Sequence, residues 1–434
     1  MPFDTIIEGK LTGASGAARN NFERAVWCYN CLAGDPLTLI DEAIADSPGF
    51  VMAYVLKGHL LANGSNADCV AMAAQTVEEA AGLPMNSYEQ AHVAALRKFT
   101  QGKLHEAARI LEDICIDHPT DLVALEAGQM IDFLLGDSRM LRDRIARAMP
   151  HWSRDMPGYH AMLGMYAFGL EEMGHYARAE AAGREAVELE PRNSWAQHAV
   201  AHVLAMQGRR KEGVAWMRED ASRWADDNFF KVHNWWHLAL FHLGLGEADE
   251  AVAIFDRHIG AEPSEMAFDL VDASAMLWRL SIAGIDVGER WKGVAESWAK
   301  WASRNDYAFS DAHAVMAFVG AGRTDAIEEV REAQRSALQS GVDNAIFVRE
   351  VGADMVEGLV AFGQGDFARS ADHLRAVRNR ANRFGGSNAQ RELIDLTIIA
   401  AAERGGDRRL AEALKDERRL AHPSFGVEAD LLIV

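Results

Sequence analysis

Two pairs of histidines, His198/His202 and His233/His237, are each set four residues apart in this chain of 434 residues. In a helix, side chains at i and i+4 leave the same face one turn apart, so each pair would present two imidazoles side by side. Imidazole changes charge near neutral pH and is the commonest nitrogen ligand of transition metals. Such pairs could hold a divalent metal or act as acid and base. Chemically capable residues continue downstream: Asp269 and Asp272, then Asp311 with His313. Trp195 precedes the first pair and Trp235 lies within the second. A tryptophan-lined groove would suit a ligand with apolar or planar parts.

The elements that must position these residues show in the glycines. Short glycine-centred turns recur at Gly102, Gly136, Gly174, Gly208, Gly246, Gly284, Gly322 and Gly365. Their spacings are 34, 38, 34, 38, 38, 38 and 43 residues. Two helices and two turns fill such a period, and the tetratricopeptide repeat is a helix-turn-helix unit of about 34 residues. A small residue recurs five positions after the glycine, at Ala107, Ala179 and Ala251, where two helices would approach closely. Pro119 and Pro191 fall seventeen positions after Gly102 and Gly174, where they would close the second helix. Apolar residues follow helical spacing, as in Leu104, Ala108, Leu111 and Ile114, and alternating strand patterns are absent. The expected fold is all-α: a tetratricopeptide-like superhelix, a right-handed solenoid of helical hairpins. A single helical-repeat domain over 1–434 is expected, with opening helices over 20–100, core repeats over 100–325, and C-terminal repeats with a cap over 326–434. Breaks are expected at Asn63-Gly64-Ser65-Asn66, at Gly82-Leu83-Pro84 and at Phe384-Gly385-Gly386-Ser387-Asn388.

In a tetratricopeptide superhelix the first helix of each hairpin lines the concave surface. Counted back from the next turn glycine, His198 and His202 stand at −10 and −6, His233 and His237 at −13 and −9, Asp269 and Asp272 at −15 and −12, and Asp311 and His313 at −11 and −9. All fall on first helices, and His237 and His313 share an offset. Neighbouring helices pack about 8–10 Å apart, so side chains on adjacent first helices can converge. The expectation is one wall of a polar pocket, with some of these residues directed into helix contacts instead.

The net charge of −20 argues against a nucleic-acid partner, which needs a basic face, and against anionic membranes. No signal segment and no 18-residue apolar run is seen, so a cytoplasmic protein is expected. Four cysteines in a chain this long make no disulfide framework. Cys28 and Cys31 have C-x-x-C spacing without a second pair, so all four are read as reduced, buried thiols. The apolar tail Ala429–Val434 would favour a homodimer.

Several stretches carry a family likeness: HPTDLVAL (118–125), HWSRDMPGYHAMLGMYAFGLEEMGHYARAE (151–180), SWAQHAVAHVLAMQG (194–208), HNWWHLAL (233–240), DLVDASAMLWRL (269–280), VGERW (287–291), NDYAFSDAHAVMA (305–317) and GGSNAQRE (385–392). On these the chain resembles the tetratricopeptide repeat protein 38 family. The resemblance implies a helical-repeat fold with a histidine-rich inner surface and brings no defined reaction. Its motifs add Asn234, Asn388 and Arg391 to the binding residues.

Three function classes follow. In the first, a His/Asp/Trp-lined pocket binds a small molecule or a short peptide. In the second, the chain is a hydrolase of small amides or esters, with His198, His202, His233, His237, Asp272, Asp311 and His313 as catalytic residues. Two or three of the four paired histidines, with Asp269 or Asp272, would then hold a divalent metal whose bound water attacks, or without metal a His–Asp pair would serve as base and orienter. In the third, the repeats serve only as an assembly scaffold. No G-x-S-x-G, H-E-x-x-H or phosphate loop is present, so the chain meets none of those motif classes.

Overall fold

The computed structural model describes residues 11–63, 68–304 and 306–421. Among these the regular elements are helices, with no β-strand and one isolated antiparallel bridge between Ala33 and Asn228. The chain is all-α and built of helical hairpins of tetratricopeptide type.

The turn glycines explain the repetition. Each of Gly102, Gly136, Gly174, Gly208, Gly246, Gly284, Gly322 and Gly365 has a positive φ, between 64° and 80°, and Gly406 adds a ninth at 78°. The residue after the glycine donates its N–H five residues back, as His175 does to the Leu170 carbonyl and Glu247 to that of His242. This closes the first helix by capping carbonyls that would otherwise lack partners. A β-carbon built on Gly174, Gly246, Gly322 or Gly365 meets nothing within 4 Å. Backbone conformation therefore selects glycine there, and space does not. The small residues after the turn are selected by space: Ala107, Ala179 and Ala251 are fully buried.

The chain divides into two compact units, one of residues up to Val200 with Asp220–Lys231, the other of Ala201–Glu219 with Val232 onward. In the first unit, Gly16–Cys31 pairs with Pro36–Asp46, Val51–Asn63 with Cys69–Ala81, Ser87–Thr100 with Leu104–Asp117, Leu122–Leu134 with Ser138–Ala148, and Tyr159–Glu172 with Tyr176–Leu189. Its interior holds polar groups as well. Arg144 donates through Nε and Nη2 to both oxygens of Asp132, at 2.7 and 2.9 Å. Asp121 caps the Leu122–Leu134 helix with Oδ1, while its Oδ2 accepts from the Tyr88 hydroxyl and lies 2.7 Å from His92 Nε2. Cys28, Cys31 and Cys115 are buried and unbonded to one another, and Cys69 is half-buried.

In the second unit, Ala267–Ile282 pairs with Arg290–Trp298, Ala308–Gly320 with Thr324–Ala337, Ala353–Gly363 with Phe367–Val377, and Asn388–Arg404 with Arg408–Ala421. The helix Ala267–Ile282 also packs against Ala308–Gly320 and Asn388–Arg404. Two indoles pin this core by hydrogen bonds, Trp298 Nε1 to Ser274 at 2.8 Å and Trp278 Nε1 to Thr397 at 3.0 Å. The longest repeat interval is taken up in its first arm, which runs from Asn344 through a π-turn at Val348–Gly352 to Gly363. The expected break at Phe384–Asn388 is present: Gly385 and Gly386 both have positive φ, and Ser387 then caps the next helix. Asn63 ends a helix and Gly82 follows one, while residues 64–67 and the tail from 422 lie outside the described residues. The argument for a homodimer falls on that tail.

Candidate functional site

His233 opens the third position of the helix Lys231–Gly244, and His237 follows one turn later on the same face. Trp236, between them, is fully buried and stacks on His233 at 5.3 Å and 15°. His202 comes from the second unit's part of the helix Ser194–Met206. Its ring centroid is 4.5 Å from that of His237 and 6.5 Å from that of His233, and His233 and His237 are 4.8 Å apart. The three rings offer nitrogen atoms that all lie within 4.8 Å of one another. His202 and His237 are wholly inaccessible to solvent and His233 is 3% exposed.

The helix Ala267–Ile282 supplies the carboxylate. Both oxygens of the fully buried Asp272 lie 2.9 Å from His233 Nδ1. An anionic partner there favours the proton on Nδ1 and orients the ring. Burial raises the Asp272 carboxyl above its ordinary range, and the adjacent His233 opposes the rise. His237 is pushed well below the usual histidine value by burial first, then by His202, His233 and Arg279. A neutral imidazole is the form that binds a metal. Phe268 flanks His233 at 5.2 Å, so the polar cluster has an aromatic jacket.

Three buried imidazoles, one oriented by a carboxylate, are donors of the kind that zinc accepts, and together they could hold such an ion. Two nitrogens on a tetrahedral zinc with bonds of 2.0–2.1 Å stand about 3.4 Å apart, so small ring rotations would close the present separation.

The other residues singled out from sequence have their own surroundings. His198, one turn before His202 on the same helix, belongs to the first unit and packs there among aromatic rings: Trp195 at 5.4 Å, Phe168 at 5.5 Å and Phe230 at 4.8 Å. Trp195 is itself buried against Phe168 and Phe230, so it rims no open groove. Trp235 leaves the opposite side of its helix from the cluster and stacks flat on His258 at 3.8 Å. Asn234 is fully buried beside His233. Asp269 accepts from the Ser264 hydroxyl at 2.9 Å and lines a groove with Asp256, Glu262 and Arg290.

Asp311 is buried, accepts from Gln334 Nε2 at 3.1 Å, and is raised by burial to about 7. His313 shares the register of His237 but sits against Phe309, with Nδ1 2.8 Å from the Phe309 carbonyl. Burial lowers it to about 4. Arg391 donates to the carbonyls of Gly385 and Gly386 and to the side chain of Asn388, so this pair braces a glycine turn. Sequence reasoning missed Arg279, seven residues after Asp272 on a mostly apolar helix, whose guanidinium lies 5.8 Å from the centroid of the Trp236 ring. The spacing of seven, two turns along one face, was the available signal.

No family model matches the chain. Similar solved structures include the APC/C hetero-tetramer Cut9-Hcn1 and Naa15/Naa10 bound to HypK-THB. The first is 13% identical with a TM-score of 0.37, over 92% of this chain and 73% of that one. The second is 14% identical with a TM-score of 0.27, over 94% of this chain and 64% of that one, so this chain spans less than two thirds of its length. Among the described residues no helix is long and apolar enough to cross a membrane.

Proposed function

We propose that this chain is a helical-repeat binding protein whose second unit holds a divalent transition metal, zinc by donor chemistry, on His202, His233 and His237. The observation that supports it most is the convergence of three buried imidazoles with both carboxylate oxygens of Asp272 2.9 Å from His233 Nδ1. Three nitrogen donors satisfy three corners of a tetrahedron, and the fourth would take a small ligand. A core of this kind, built only for packing, would more cheaply use leucine than three desolvated imidazoles and a carboxylate.

The second reading, hydrolysis of a small amide or ester, is supported by the same donor set. A water held there would be acidified, and His233 with Asp272 behind it keeps the donor geometry fixed while charge develops. The resemblance to the tetratricopeptide repeat protein 38 family is part of this proposal, and the inner face of its histidine motifs is where the site would lie.

Elemental analysis of protein purified without chelator tests the reading. About one zinc per chain is expected, and the His202→Ala/His237→Ala variant should lose it while keeping its helical circular dichroism. Metal-free wild-type protein that takes up no stoichiometric zinc on addition would overturn the proposal. A panel of amide and ester substrates on the zinc-loaded protein separates the binding reading from the hydrolytic one.

A further inference from the structure

The seam that carries the histidines continues beyond them. One turn after His202 comes Met206, one turn after His237 comes Phe241, and two turns after Asp272 comes Arg279. All three line one cleft of about 90 Å³ in the second unit. Its polar wall is Arg210, Arg279, Arg418 and Glu392, and its apolar wall includes Leu240 and Ile282. Three cations against one anion make a locally positive cavity in a chain whose net charge is −20.

Arg279 is the unusual member. It is 4% exposed, and Nη2 donates to the Ala389 carbonyl at 2.7 Å. Its Nη1 is 3.6 Å from Glu392, too far for a hydrogen bond, and its Nε has no acceptor. Glu392 is instead drawn to Arg418 at 2.6 Å. Burying a guanidinium whose charge is not matched at hydrogen-bond distance is costly. Burial lowers Arg279 to about 10, so it remains a cation at neutral pH. A planar fork of donors in an apolar cavity is the arrangement that recognises a carboxylate.

We propose that this cleft is a carboxylate-binding subsite, in which Arg279 takes the carboxylate of a small ligand and the Leu240 and Ile282 side takes a short hydrocarbon stem. An apolar cavity of about 150 Å³ holds benzene, so a smaller one fits a stem of two or three carbons. Glu392 competes for the same cation and tunes the affinity. The subsite needs no metal at the histidines, so the two proposals can fail separately.

The test uses full-length, chelator-treated protein and ligand-observed NMR titration with propionate, with propionamide, chloride and inorganic phosphate as comparison arms. Saturable binding of propionate, with none of propionamide, is expected. Arg279→Gln should weaken it at least about tenfold, and Glu392→Gln, which removes the competing carboxylate, should strengthen it several-fold. If Arg279→Gln does not fold, by circular dichroism, the half-exposed Glu392 carries the test. The proposal is overturned if propionate behaves as chloride does, if phosphate binds more tightly than propionate, or if Glu392→Gln leaves the propionate affinity unchanged.

Discussion

Asp272→Asn is the sharpest perturbation of the proposed metal centre, because it changes charge while nearly preserving shape. In the native chain both carboxylate oxygens lie 2.9 Å from His233 Nδ1 in a site closed to solvent. Asparagine keeps one acceptor oxygen at that distance, so the ring stays in place. What disappears is the negative charge that makes His233 a stronger donor and offsets the cation it would bind. Loss of such an outer partner weakens metal affinity about 10–100-fold, or about 1.4–2.8 kcal/mol. The cost to folding should be small, since a buried carboxylate is itself desolvated and the native carboxyl is already raised by burial. The assay is competition for zinc against a chromophoric chelator at pH 7, with urea unfolding of the metal-free proteins alongside. A Kd for Asp272→Asn within about twofold of wild type would refute the role of Asp272. An equal loss of affinity and of metal-free stability would show instead that the pair is only a packing feature.

Three further outcomes are expected. Asp311→Asn should stabilise the second unit in a pH-dependent way: with the folded carboxyl raised to about 7, the native state holds a proton that the unfolded chain gives up nearer pH 4, so wild-type stability falls as pH rises between those values. The gain in midpoint urea concentration should therefore grow from about pH 4 to about pH 7 and then level off, and a pH-independent difference would refute it. Arg144→Met should cost about 3–5 kcal/mol by leaving Asp132 buried and unpaired, and Arg144→Met/Asp132→Leu should recover most of the loss, read by denaturant titration. Gly174→Ala should cost about 1–2 kcal/mol from backbone strain alone, and Gly174→Asn less, because nothing crowds that position; equal melting temperatures for all three would refute the conformational argument.

The turn register was legible because it depends on a local rule. A left-handed residue ends each first helix, glycine alone adopts that conformation cheaply, and so the hairpins could be counted from Gly102 to Gly365. The membership of the cluster was less so. His202, His233 and His237 stand at three different offsets, and they meet because of how adjacent helices cross, which no single helix encodes. The shared offset of His237 and His313 misled for the same reason: the neighbours of His313 supply a backbone carbonyl and Phe309 in place of imidazoles. Asp269 and Asp272 are one turn apart, yet the first meets Ser264 and the second His233. Arg279 escaped notice because an arginine in an apolar run reads as a side chain reaching for water, whereas its guanidinium is held inside by the Ala389 carbonyl.

The long first arm from Asn344 to Gly363 carries a π-turn at Val348–Gly352 and leaves the reversal at Gly365 unaltered. Length and direction are thus set by separate parts of the hairpin. A residue gained in such an arm, well before its glycine, becomes one wider coil of helix and is forgotten before the chain turns back. The three histidine-bearing and aspartate-bearing arms, whose side chains must meet in one phase, are the places where that tolerance ends: one added residue between His233 and His237 would rotate one ring about 100° away from the other. Grafted segments would therefore be accepted in the Asn344 arm and refused in the Lys231 arm, although both belong to the same repeating plan.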